Sequence, residues 1–221
     1  MGTGIHGGFI KVYKDDKGDI VQKLPVKTSW SMNRDYTLFA ILAGVRNGYG
    51  FAGCYRHEPL TPIAEGRGKP DFLVYKGGDY CPELYNKWYG QWDDEPELGE
   101  YLGDHSFTYM TINEILNWNG WDKHLMCGGV VDVDHYEETV ALGKNPEHWS
   151  GGVGGASVKV LSQEDYLIEK GFCNNTSATH VQCYWEDNLS LREDYHWFLE
   201  EITRIKNEFG GDTYLVIGFD S

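Results

Sequence analysis

Four polar residues bracket one short apolar stretch: Arg34 and Asp35 precede Leu38, Phe39, Ile41, Leu42 and Val45, and Arg46 and Asn47 follow them. The three-and-four spacing of that stretch explains how a helix packs, but it does not explain its flanks. Burying an unpaired guanidinium is costly, so each arginine must meet a carboxylate such as Asp35 or face a cleft where an anionic ligand completes it. Asp104 and His105 stand a few residues before Thr111, which opens a second helical pattern. A histidine there sits near the positive end of a helix, suited to ligand binding or proton transfer. His6 lies at the start of the first β-prone run. The candidate ligand-binding residues are therefore His6, Arg34, Asp35, Arg46, Asn47, Asp104 and His105, with Arg56 and Arg67 as further phosphate partners.

Familiar motifs fall away on inspection. Gly2-Thr3-Gly4-Ile5-His6-Gly7 has the dinucleotide spacing, yet no strand precedes it and no helical pattern follows. Gly66-Arg67-Gly68-Lys69-Pro70 resembles the end of a phosphate-binding loop, but Pro70 stands where a hydroxyl must meet Mg²⁺. Neither G-x-S-x-G nor H-E-x-x-H occurs. Asp132 and Asp134 are expected to share one strand face, and Ser150 to Gly155 to form a glycine-rich loop of backbone donors. Five cysteines without a C-x-x-C pair argue against a disulfide framework or a structural zinc, so no metal is expected and reduced thiols in a cytosol fit best.

The charge balance narrows the partners. Nineteen Lys and Arg face thirty-four Asp and Glu, a formal charge of −15, which repels an extended phosphate backbone and argues against nucleic acid. A small anionic ligand remains compatible, because a local arginine cluster dominates at contact range, and a basic host protein would be attracted. Eight Trp, fifteen Tyr and nine Phe supply rings for a sheet-rich core and for stacking on a base. No signal peptide and no long apolar run is present, so neither export nor membrane insertion is expected.

These residues need elements to hold them. Phe9 to Tyr13 and Asp19 to Gln22 read as a hairpin around Lys14-Asp15-Asp16-Lys17-Gly18. The helix after Asp35 is expected to stop at Asn47-Gly48, and residues 49–103 to form long loops with short elements. Thr111…Glu114 and Ser190…Glu193 are capping boxes, the second leading a helix with Phe198, Leu199, Ile202 and Ile205 inward, closed by Gly210-Gly211. Strands are expected at 130–134, 156–161 and 179–185, and Thr213 to Phe219 is apolar enough to be central. The order is α+β: one domain over residues 1–221, with a mainly antiparallel or mixed sheet covered by two or three helices.

Several stretches, taken in order, resemble a family of uncharacterised bacteriophage and bacterial proteins that typically begin Met-Gly-Cys-Asp-Ile-His. They are Met1-Gly2…Ile5-His6, Asn33 through Gly48, Gly50-Phe51-Ala52-Gly53, Gly103-Asp104-His105-Ser106, Thr111 to Leu116 and Gly218-Phe219-Asp220. Thr3 and Gly4 replace the family's Cys and Asp, and Phe107 stands where many relatives carry a second histidine. The resemblance implies a phage origin and supplies no activity. The aromatic rings, Arg34, Arg46, Arg56 and Arg67, and the abundant loops suit a phage accessory protein in the host cytosol that binds and sequesters a small nucleotide-like signal or blocks a host defence protein. The alternative is a hydrolase or phosphodiester-cleaving enzyme using His6, Asp35, Asp104 and His105.

Overall fold

The computed structural model describes residues 3–28, 34–48, 55–56, 59–86, 96–173 and 176–220. Gly2, Asn33, the Gly50-Phe51-Ala52-Gly53 stretch and the side chain of Arg56 lie outside the description. The fold is α+β, with antiparallel and mixed sheets, and its contacts divide the chain into two compact units. The first holds Met1–Asn47, Leu60–Gly120 and Asp194–Ser221; the second holds Gly48–Pro59 and Trp121–Glu193.

The first unit is built on a sheet ordered β2 (Ile20–Val26), β1 (Ile5–Lys14), β10 (Tyr214–Phe219) and β6 (His105–Thr111), antiparallel throughout. The apolar terminal strand is central, as its composition requires. Alternation along β10 sends Leu215, Ile217 and Phe219 to one face and Val216 to the other. Phe39 of α1 (Tyr36–Ala43) meets Phe219 edge-on at 5.2 Å on the first face. Leu38, Phe39, Leu42, Phe198, Leu199, Ile202, Leu215 and Ile217 are all buried in this unit. On the opposite face Val216 and Ile10 pack with Cys81 and Leu84 of β4 (Tyr80–Tyr85) and with Leu102, just past β5 (Leu98–Tyr101). The stretch expected to form long loops with short elements thus supplies two short antiparallel strands, β4 and β5, on one side of the sheet.

Local chemistry sets the helix ends. Asp35 caps α1 by accepting from the amides of Thr37 and Leu38. The helix ends earlier than expected, because Gly44 takes the left-handed conformation at φ 72° and returns its amide to Ala40. Val45 therefore lies beyond it. Thr111 starts α2 (Ile112–Leu116) with both bonds of the capping box in place, Glu114 N to Thr111 Oγ1 at 3.2 Å and Thr111 N to Glu114 Oε2 at 2.7 Å. Thr111→Ala is expected to cost about 1 kcal/mol in a urea titration.

The second unit has β7 (His124–Asp132) beside β9 (His180–Ser190), with β3 (Tyr55–Arg56) and β8 (Val160–Ser162) at the edges. β8 runs parallel to β9, and α4 (Gln163–Cys173) makes the connection between them. Val131, Tyr136, Tyr166, Val181 and Cys183 form its core. Asp132 and Asp134 do not share a strand face: β7 ends at Asp132, which caps α3 (Val133–Glu138), and Asp134 lies in the first helical turn. The Ser190 box also forms, but the helix behind it is broken at Tyr195 into α5 (Leu191–Asp194) and α6 (His196–Phe209).

Candidate functional site

Between β10 and β6 the register slips: Ile217 faces Thr108 while Phe219 faces His105, a bulge that leaves Ser106 at φ 51°. Such bulges re-aim side chains, and a non-glycine residue at positive φ carries strain that packing must hold. Here Asp104 N donates to Phe219 O at 2.8 Å just ahead of the bulge. His105 stacks near Phe219, and its Nδ1 lies 2.9 Å from Ser106 Oγ, with Nε2 3.9 Å from Asp104.

Across from this bulge the chain leaves α1 through Gly44, and exposed Arg46 adopts φ 56°. Its Nε and Nη2 donate to Thr3 Oγ1 at 3.0 and 2.9 Å, and its guanidinium stands 5.9 Å from the Tyr36 ring centre. Residues 63–66 close the gap. Ile63 and Ala64 donate their amides to Ile41 and Leu42 of the last helical turns, and Thr108 Oγ1 donates to Ala64 O at 2.6 Å. The result is an open cleft of about 470 Å³ lined by Thr3, Arg46, Glu65, His105 and Ser106. One cation, one carboxylate, two hydroxyls and an imidazole thus face one volume.

His6 occupies a neighbouring position on the β4–β5 side of the sheet. Its Nε2 is 3.1 Å from Asp220 Oδ2 and its Nδ1 3.6 Å from Glu100 Oε1. Burial opposes charging of His6, but hydrogen bonds and charge from Glu100 and Asp220 outweigh it, so its pKa rises above the ordinary value. Burial pushes Glu100 up more than His6 pulls it down. Burial also raises Asp220, but there His6 and the Gly4 amide prevail and the carboxyl falls below its usual range. A raised histidine adds stability that is complete below its unfolded pKa and is lost as pH rises through the folded one. Glu100, raised too, acts in the same direction. The protein is expected to be more stable at pH about 5.5 than at pH about 8, and His6→Gln to shrink that difference in urea titrations at both values.

The seven sequence candidates separate. Arg46 and His105 line one cleft, with Asp104 beside His105. His6 joins Asp220 and Glu100 instead, and exposed Arg34 lies near enough to Asp220 for its charge to favour that carboxylate. Asp35 also accepts from Tyr195 Oη at 2.9 Å, and Asn47 makes two bonds to the Leu60 backbone, so both hold the frame. Arg67 pairs with Glu114 at 2.6 Å. Sequence reasoning missed Thr3, Glu65, Glu100, Ser106 and Asp220. Of these, Ser106 and Asp220 stood inside the stretches carrying the family resemblance. Among the described residues no three His, Cys, Asp or Glu side chains converge to hold a metal ion, and no helix is long and apolar enough to cross a membrane. Comparison of the chain with protein-family models, with curated proteins and with solved structures finds no match.

Proposed function

We propose that the cleft binds a small phosphate-bearing, nucleotide-like molecule, and that the protein acts by sequestering it, as a phage accessory factor in the host cell. The observation that carries this reading is the exposed Arg46 guanidinium, held by Thr3 at one cleft and accompanied there by His105. Guanidinium matches phosphate geometry, and the two hydroxyls add neutral donors around it. Glu65 in the same cleft disfavours a bare anion. It suits a ligand that also carries N–H or O–H donors, as a nucleotide does.

A second reading is hydrolysis of such a ligand, favoured by the 2.9 Å contact of His105 Nδ1 with Ser106 Oγ at a strained position. One experiment separates the two: the protein is incubated with cyclic and linear nucleotides, and the mixture is chromatographed before and after denaturation. Release of an intact nucleotide on denaturation supports binding, and a new product supports hydrolysis. A panel that passes unretained and unchanged defeats both.

A further inference from the structure

Two ion pairs tie β4 and β5 to the main sheet of the first unit, and they differ in kind. In β2, Lys23 Nζ meets Glu83 of β4 and also donates to Phe72 O at 2.9 Å. A lysine–glutamate pair keeps its charges across the range in which a histidine titrates. In β1, the tie is His6 with Glu100 of β5, Nδ1 to Oε1 at 3.6 Å. Glu100 is only 6% exposed, so its carboxylate depends on protein groups rather than on water.

His6 serves two carboxylates through opposite edges of its ring. Nε2 makes the closer contact, 3.1 Å from Asp220 Oδ2, while Nδ1 faces Glu100. The charged imidazole donates from both nitrogens, whereas the neutral ring keeps one N–H. On losing its proton the ring retains the shorter bond to Asp220, and the Nδ1 lone pair is left aimed at Glu100. Two acceptors then oppose each other in a buried place, which the Gly7 amide offsets only in part. Among the described residues His6 also faces Tyr101 of β5, edge-on at 5.7 Å. Tyr85 of β4 passes Gly8 with Lys27 over its ring, Arg34 favours the Asp220 carboxylate, and Asp104 and His105 adjoin Phe219. Burial lowers the pKa of His6, but its bonds to Glu100 and Asp220 more than reverse this, and burial raises Glu100. Both protons therefore favour the docked arrangement, and that preference is lost as pH rises through the folded values.

We propose that β4 and β5 form a flap, hinged at Lys23–Glu83 and latched at His6–Glu100, which opens along β5 far more often once His6 gives up its proton. Opening uncovers Ile10 and Val216, which pack with Cys81 and Leu102 in the closed state.

The test is hydrogen exchange of the full chain at pH about 5.5 and about 8.5, corrected for intrinsic rates. An undocked two-stranded pair is barely stable in water, so the β5 amides report opening. They are expected to exchange at least about tenfold faster than those of β10 at both pH values, at a rate unchanged by about 1 M urea, as a local opening requires. Their protection is expected to fall at least about fivefold from the lower pH to the higher. Glu100→Gln, whose amide can donate to the neutral ring, is expected to abolish that fall. The proposal is overturned if β5 and β10 exchange alike with the same urea dependence, if β5 protection is level between the two pH values, or if Glu100→Gln keeps the full fall. The first two comparisons use the unaltered protein and decide the matter even if the variant does not fold. None of these outcomes depends on the nucleotide reading of the Arg46 cleft.

Discussion

Gly7→Ala is expected to destabilise the protein by more than about 4 kcal/mol, seen as a collapse of the urea midpoint or as failure to fold. Gly7 sits in β1 at φ 147°, opposite Ile217. A Cβ there would lie 2.0 Å from Val216 O and 2.9 Å from Ile217 Cα. Both obstacles are backbone atoms of the central strand, so no rotamer change relieves them, and any side chain at this φ is strained as well. Relief requires β1 to move away from β10. That movement would carry neighbouring His6 from Asp220 and break the Gly4–Asp220 bonds. A variant within about 1 kcal/mol of the parent would mean that the strands relax freely and that the close approach constrains nothing.

Arg46→Ala is expected to weaken binding of the nucleotide selected by the panel by about 1.5–3 kcal/mol, the scale of a hydrogen bond to a charged group, or roughly ten- to a hundredfold. Stability should fall by no more than about 1–3 kcal/mol, the cost of leaving the buried Thr3 hydroxyl without its two donors, and alanine inherits the same left-handed backbone without a larger penalty. Affinity by calorimetry and melting temperature on one variant give the answer. Loss of stability with affinity intact would make Arg46 a brace between the end of α1 and Thr3, and the cleft reading would fall.

What the sequence revealed depended on whether the signal was local. Thr111…Glu114 and Ser190…Glu193 could be read directly, because a capping box is made by residues three apart and forms the same way in any fold. The stripe from Leu38 to Leu42 was equally plain, but its end was not: Gly44 has the left-handed conformation, and spacing alone favoured Asn47-Gly48. α4 escaped notice because, among its described side chains, Tyr166 alone is deeply buried, while Leu167, Ile168 and Phe172 are exposed, so no inward stripe marks it. Asp132-Val133-Asp134 continued a β-prone run by composition, and only the fold shows that Asp132 turns it into a helix.

The site was legible in part for the same reason. Arg46 and His105 stood out as polar residues that local packing left unexplained. Glu65 lies in a stretch without periodicity and reaches the cleft through bonds to α1 and β6, which are far from it in sequence. Glu100 meets His6 only because the β4–β5 hairpin folds over the sheet.

The pairing of β1 with β10 also sets a timetable. His6 and Gly218 are partners across roughly two hundred residues of chain, so the inner edge of β1 has no partner until β10 has been made. At ordinary rates of synthesis that delay is roughly 10–40 s, during which the first hairpin presents unpaired amides and carbonyls together with Phe9 and Ile10. Assembly of this sheet is a late, non-local step, and the nascent chain is most exposed to mispairing and most in need of a chaperone throughout that interval.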